Sequence, residues 1–256
     1  MSRERRLQLI MPWAVTIGLF LIWEIACRAF NVSSFILPKP SEIFAATVKF
    51  YGPITGHSLH TLLTTLLGFA IAVVGGMALG LLVGASSLIY NGLYPLLIAF
   101  NSIPKVALVP ILVIWFGIGT VPAVITAFVI SFFPIVVNVA TGLATIEPEM
   151  RDVLRSLGAS RLDILVKVGI PRSLPYLFAS LKIAITLAFV GSVIAETVAS
   201  NEGIGYLMLA ASSRSDVPLV FSGLIVIAIL GVVMYAICAW FERRMTGWAF
   251  RGDIVT

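Results

Sequence analysis

Six long apolar runs constrain the fold of this chain more than any other feature of its sequence. They lie at residues 8–28, 61–84, 91–116, 122–142, 177–199 and 218–241. A helix needs roughly 20 apolar residues to cross about 30 Å of hydrocarbon. The runs are too long and too uniformly apolar for barrel strands, and backbone groups in lipid must be satisfied within the helix. The sequence therefore predicts an all-α integral membrane protein with about six transmembrane helices and one domain, residues 1–256.

Charge distribution predicts how these helices are oriented. Hydrophobic residues make up 59% of the chain and charged residues 11%, against about 25% charged in soluble domains. Lys and Arg cluster at both termini and in residues 147–175, called here the polar segment. Positive charge favours the cytoplasmic side, so the termini and the polar segment are predicted to be cytoplasmic. Attraction to lipid explains the net charge of +5 without a nucleic acid partner.

The polar segment carries the pattern of two short helices. Four apolar residues at i, i+3, i+4 and i+7 predict an amphipathic first helix: Met150, Val153, Leu154 and Leu157. Gly158 is predicted to end it in the left-handed conformation, and Ser160 with Asp163 to cap the second helix. The second helix is expected to stop at Pro171. Two short helices about a glycine at a membrane face predict a docking element for a partner with a matching groove.

Several motifs resemble a known family. Asp152-Val153-Leu154, three residues, Gly158, nine residues and Val168-Gly169-Ile170-Pro171 resemble the loop of bacterial ABC importer permeases, E-A-A-x3-G-x9-I-x-L-P. Asp152-Val153-Leu154 replaces the Glu-Ala-Ala, and Ile170 replaces the Leu. Further motifs resemble the nitrate, sulfonate and taurine branch: Leu37-Pro38-Lys39-Pro40-Ser41, Ile103-Pro104, Phe116-Gly117-Ile118-Gly119, Gly158-Ala159-Ser160-Arg161, Ala195-Glu196 and Gly203-Ile204-Gly205.

The resemblance implies a type I ABC importer permease-like fold in the bacterial inner membrane. It implies these partners: a second permease copy in a homodimer, two cytoplasmic ATP-binding subunits, a periplasmic solute-binding protein and lipid. The polar segment would be the ATPase-coupling loop, with these contact residues: Glu149, Arg151, Asp152, Leu154, Arg155, Leu157, Gly158, Ala159, Ser160, Arg161 and Pro171. No cofactor is expected on this chain, since ATP and Mg²⁺ would bind the partner ATPase. The implied solute is a small organic or inorganic anion, with sulfonates, taurine, nitrate, bicarbonate and pyrimidine-type vitamin precursors all open.

The sequence lacks familiar catalytic motifs, and this absence bears on whether the chain is an enzyme or a transport subunit. The sequence lacks G-x-x-x-x-G-K-[ST], G-x-S-x-G and H-E-x-x-H, so the chain is expected to be no enzyme and to take its energy from another chain. Two alternatives are a secondary transporter, which usually has internal repeats and ionisable groups near the midplane, and an intramembrane enzyme, which needs a catalytic pair at depth. His57 and His60 have no further ligand nearby, so no metal site is expected.

Polar groups inside the apolar runs are candidates for a solute pathway, because such groups tend to face water or a partner. The pathway is predicted to be lined by the third, fourth and fifth runs, with these candidate contacts: Asn101, Ser131, Asn138, Thr186 and Glu196. Bonding between helices is the alternative role for the amides and hydroxyls. The ionisable groups are Glu24, Lys105 and Glu196. Both carboxylates are placed near the outer boundary, where they snorkel, form structural hydrogen bonds or act at an outer gate.

Small residues and prolines predict how the helices pack and bend. Gly76, Gly80 and Gly84 form a small-residue face on the second span that lets another helix approach closely. Pro104 and Pro110, in the third span, and Pro134, in the fourth, remove backbone donors and can bend these helices around a cavity.

Overall fold

The computed structural model describes residues 3–144 and 148–246 of the chain. Every regular element in these residues is helical, which confirms the predicted all-α architecture. The helices are α1 (Arg3–Ala29), α2 (Pro40–Lys49), α3 (Tyr51–Gly84), α4 (Ser87–Ser102), α5 (Val109–Phe116), α6 (Thr120–Ala144), α7 (Pro148–Ser156), α8 (Arg161–Ile164), α9 (Ile170–Ala199), α10 (Ile204–Ser213) and α11 (Val217–Thr246). A 3₁₀ turn, Lys105–Leu108, precedes α5, and a π turn, Leu165–Gly169, joins α8 to α9.

Five helical segments in the described residues are long and apolar enough to cross a membrane: Ile10–Ala29, Tyr51–Gly84, Thr120–Leu143, Leu162–Ala199 and Val217–Thr246. A further pair of apolar helical segments, Leu88–Ser102 and Lys105–Phe116, meets at a bend of 75° and counts as a sixth span if the two are taken together. The prediction of one helix over 91–116 was therefore wrong at this break. Pro104 cannot continue the helical hydrogen bonds and disfavours the helical conformation of the residue before it. Ile103 is accordingly extended, with a ψ of 128°.

The core is formed where α6 packs against α3 and α9. A Cβ atom added to Gly80 would lie 2.7 Å from the Cβ atom of Val139 on α6, closer than real side chains approach. Gly76 and Gly84 are equally close to α6. The small-residue face predicted on α3 is confirmed as a packing surface, and it fixes the separation of the two helices.

Hydrogen bonds join α1 to α2. The Glu24 carboxylate accepts from the Ser41 N–H at 3.0 Å and from the Ser41 hydroxyl at 2.9 Å, and it pairs with Arg28. Glu24 therefore forms structural hydrogen bonds, one of the roles considered for it. Glu42 folds back onto Lys39 at the start of α2. The hydrogen bond from the Lys39 ammonium lowers the pKa of Glu42 to about 2.

Candidate functional site

From Pro148 onward, the polar segment folds as α7, a turn at Gly158, α8, the π turn and the start of α9. Gly158 has a φ of +84°, and the Ala159 N–H donates to the Leu154 carbonyl at 3.0 Å. This is the left-handed glycine cap that the sequence predicted. At the start of α8, the Ser160 N–H donates to the Asp163 carboxylate at 3.3 Å. The Asp163 N–H donates to the Ser160 hydroxyl at 3.1 Å, so the predicted capping box is also confirmed.

The second short helix does not stop at Pro171, so that prediction was wrong. The chain is helical from Arg161 to Ala199, because α8 passes through the π turn into α9. In the π turn, the Ile170 N–H donates to the Leu165 carbonyl, five residues back. Pro171, which has no N–H, then occupies the first turn of α9, where no donor is needed. The polar segment is thus joined without a break to a membrane span.

The surface formed by α7 and Leu157, which directly follows it, combines apolar and charged side chains. Val153 and Leu157 are 58% and 78% exposed, while Leu154 is partly buried. The charged side chains described around them are also exposed: Glu149, Asp152 and Arg155. The side chains of Arg151 and Arg161, and all of Glu147, lie outside the described residues. Exposed apolar side chains ringed by charge are typical of a protein-binding surface.

The structure does not bring the candidate pathway residues into one polar site. Ser131, Asn138 and Thr186 each donate to a carbonyl of the preceding turn in their own helix, at 2.7, 2.8 and 3.0 Å. Asn101 instead lines a groove of about 360 Å³ between α4, the break in the third span and α6. Of these four residues, Asn101 alone lines the groove. The wider pathway over the third, fourth and fifth runs stays a prediction.

Glu196, at the end of α9 opposite the polar segment, is fully buried. Its Oε2 accepts from the Thr61 hydroxyl at 2.8 Å and from the Gly205 N–H at 3.3 Å. Its Oε1 accepts from the Thr64 hydroxyl at 3.3 Å and from the Ser192 hydroxyl at 3.4 Å. Glu196 therefore does not snorkel to solvent. It forms a structural hydrogen-bond network that joins α3, α9 and α10.

This network also holds the first turn of α10. The N–H groups at a helix start have no acceptor within the helix. The Ile204 N–H donates to the Thr61 hydroxyl at 2.9 Å, and the Gly203 N–H, just before the helix, donates to His57 Nδ1 at 3.0 Å. A carboxylate also suits the positive end of the helix dipole. Glu196 and its partners thus fix α10 against α3 and α9.

Sequence reasoning identified Glu196 but missed Thr61, Thr64 and Ser192. A signal was present, because Thr61 and Thr64 are three residues apart and Ser192 and Glu196 are four apart, so each pair shares a helix face. Polar pairs on one face of an apolar helix indicate a polar contact between helices. In the part of the chain that the structure describes, no group of three or more His, Cys, Asp or Glu side chains is placed to hold a metal ion.

We expect Glu196→Ala to destabilise the protein, because the buried Gly205 N–H then has no acceptor. An unsatisfied buried polar group costs about 1–3 kcal/mol, and the cavity left by the side chain adds to this. Glu196→Gln is the matched control, since its carbonyl can replace Oε2 while its amide faces the Thr64 and Ser192 hydroxyls. The melting temperature in detergent should fall markedly for alanine and little for glutamine. Equal decreases in melting temperature for the alanine and glutamine variants would contradict the hydrogen-bond assignment.

The fold and the polar segment agree with one family of membrane proteins. The family of binding-protein-dependent transport system inner membrane components matches residues 72–247. The chain belongs to this family. The matched region contains the whole polar segment, the groove at Asn101 and Glu196.

Known proteins resemble the chain over most of its length. Formylaminopyrimidine transport permease protein ThiX of Halalkalibacterium halodurans is 30% identical over 246 residues, which cover 96% of this chain and 98% of the relative. Nitrate import permease protein NrtB of Leptolyngbya laminosa is 29% identical over 243 residues, which cover 92% and 87%. A crystal structure of the MetNI methionine ABC transporter, in an inward-facing conformation, matches with a TM-score of 0.67 at 20% identity and covers 77% of this chain and 98% of the matched chain.

These similarities confirm the resemblance seen in the sequence. The likeness to MetNI shows the type I permease fold. Permeases for aliphatic sulfonates and taurine also match the chain, which confirms the branch. The chain is a permease subunit of an ABC importer and a multi-pass protein of the bacterial inner membrane.

Proposed function

We propose that two copies of this chain form the translocation pathway of an importer, with an ATPase subunit bound to each polar segment. The observation that carries this proposal is the exposed surface of α7, where apolar side chains lie next to the Gly158 turn. The chain has no nucleotide-binding motif, so ATP and Mg²⁺ bind to the partner. An external binding protein delivers the solute at the opposite face.

The continuous helix from Arg161 to Ala199 supplies a mechanical route between the two faces. The 39 residues from 161 to 199, at about 1.5 Å each, extend for about 58 Å. Movement of the ATPase subunits at α7 and α8 would tilt this helix and shift its far end, where Glu196 holds α10. ATP at one face and solute at the other can then bias the same two-state equilibrium. Hydrolysis resets it.

The proposal requires the polar segment to be cytoplasmic. In a variant without Cys27 and Cys238, a cysteine at Arg155 should react with a membrane-impermeant maleimide only after the membrane is opened. A cysteine at Lys49, which is exposed on α2, is the matched control and should react in intact spheroplasts. The expectation follows from the clustering of Lys and Arg at the termini and in the polar segment. The reverse labelling pattern would overturn the topology.

We propose a small organic or inorganic anion of the sulfonate, taurine or nitrate class as the solute. The relatives named for nitrate, aliphatic sulfonates and taurine support this class. ThiX is named for formylaminopyrimidine, so it supports the alternative solute, a pyrimidine-type vitamin precursor. The test compares uptake of labelled nitrate, taurine, ethanesulfonate and formylaminopyrimidine in cells with and without the permease. Permease-dependent uptake of an anion supports the proposal, and uptake of formylaminopyrimidine alone would overturn the anion class.

A further inference from the structure

Lys105 lies at the break in the third span and makes no ion pair with any described residue. Its ammonium donates to the backbone carbonyl and to the side-chain Oδ1 of Asn101. An ammonium has three N–H donors, so one remains for another acceptor. Lys182 in α9, by contrast, pairs with Glu242 at 2.6 Å. Because charges in a membrane span are costly, those present tend to be paired or to line a functional cavity.

The contact with Lys105 also fixes the orientation of the Asn101 amide. The ammonium can only donate, so the amide oxygen faces it and the amide nitrogen points elsewhere. Neither N–H of that nitrogen finds an acceptor among the described residues. Lys105 and Asn101 together therefore present one positive charge and three unused N–H donors.

Lys105 and Asn101 both line the groove of about 360 Å³, and its other lining residues are apolar. The wall includes the rings of Phe100, Phe128 and Phe132, and none of the described residues that line it is a carboxylate. Non-helical backbone at membrane depth is tolerated where it lines a cavity or packs on protein. The break in the third span thus places a positively charged site with free N–H donors in an apolar groove. Its charge complements an anionic group, and the rings can cover an attached apolar body.

We infer that Lys105 and Asn101 bind the anionic group of the solute within the permease itself. This inference rests on the proposed anion class, and it adds a site in the membrane subunit to the recognition by the external binding protein. The phosphate of a phospholipid headgroup has the same chemistry. The experiment therefore has to separate a transported anion from a bound lipid.

The test uses the complete transporter in proteoliposomes, with nitrate, taurine and ethanesulfonate as probes. The measured quantity is the number of anions imported per ATP hydrolysed. Lys105→Met should lower this ratio about tenfold, the change expected for loss of one charged hydrogen bond, while ATP hydrolysis persists. Lys105→Arg keeps the charge, so the number of anions imported per ATP should stay close to the wild-type value. Lys49→Met, which removes an exposed lysine of α2 outside the groove, is the matched control and should leave the ratio unchanged.

The outcomes separate this inference from the proposed function. If the wild type imports none of the probes, the proposed anion class of the solute is wrong, and so is the proposed binding site that rests on it. If the wild type imports an anion and Lys105→Met imports it at the same ratio, the site assignment is wrong while the proposed function stands. A phospholipid retained by the wild type and lost from Lys105→Met in native mass spectrometry would assign the lysine to lipid and also overturn the site. Should Lys105→Met fail to reach the membrane, Lys105→Gln replaces it with the same expectation.

Discussion

Gly203→Ala is expected to prevent the protein from reaching a stable fold. Gly203 has a φ of +97° and a ψ of 162°, a conformation that is essentially confined to glycine and costs other residues about 1–3 kcal/mol. A Cβ atom there would also lie 2.1 Å from the carboxyl carbon of Glu196. The carboxylate cannot move away without losing its bonds to Thr61 and Gly205. Strain and overpacking together should cost about 2–6 kcal/mol, measured as a lower melting temperature and less protein in the membrane.

Two further variants test the cause of this loss. Gly56→Ala in α3 is the matched control, since a Cβ atom there meets nothing within 4 Å, and it should leave stability unchanged or slightly higher. Combining Gly203→Ala with Glu196→Ala removes the clash, so the double variant should be no less stable than Gly203→Ala alone. If the loss of stability in the double variant equals the sum of the losses in the two single variants, Gly203 and Glu196 do not interact.

Gly158→Val is expected to abolish ATP-driven import while leaving the protein in the membrane. Gly158 has a φ of +84°, and no atom lies within 4 Å of an added Cβ atom, so the effect comes from the backbone. A β-branched residue there is strained by about 1–3 kcal/mol, which the turn relieves by re-aiming α7 relative to α8. The spans do not depend on this turn. In proteoliposomes, import should fall to background, and the ATP hydrolysis that the binding protein stimulates should fall about tenfold or more, by conversion of that strain.

Gly158→Asn is the matched control, because asparagine adopts the left-handed conformation more readily than other residues with a side chain. It should keep most of the import activity. Equal inactivity of the asparagine and valine variants would show that the handedness of the backbone is not the cause. Import by Gly158→Val at the wild-type rate would remove the polar segment from the coupling mechanism.

Length and hydropathy predicted most spans because an apolar run of about 20 residues in lipid satisfies its backbone as a helix. They did not predict the break after Ile103, because proline alone does not decide between a kink and a break. Other prolines lie inside helices of the described chain without breaking them, among them Pro12, Pro95, Pro134 and Pro175. Neighbouring helices decide which prolines end a helix, and the sequence pattern does not show those neighbours.

The caps of the polar segment were predictable because the residues that form them are close in sequence. Ser160 and Asp163 are three residues apart, and Gly158 needs only its own backbone conformation. The bond from Thr61 to Glu196 joins residues 135 positions apart. The predicted position of Glu196 near the boundary of the fifth run agrees with its place near the end of α9. Its burial depends on α3 and α10, which no local rule brings together.

The subunit composition of the purified complex tests the central claim most directly. Native mass spectrometry of the tagged permease from its own host membranes should find two permease copies with two ATPase subunits. Leu157→Asp, which places a charge on the most exposed apolar side chain of the polar segment, should release the ATPase subunits and leave the permease in the membrane. A permease purified without any ATPase, or a Leu157→Asp variant that keeps the full complement, would contradict the assignment of the polar segment as the ATPase-binding element.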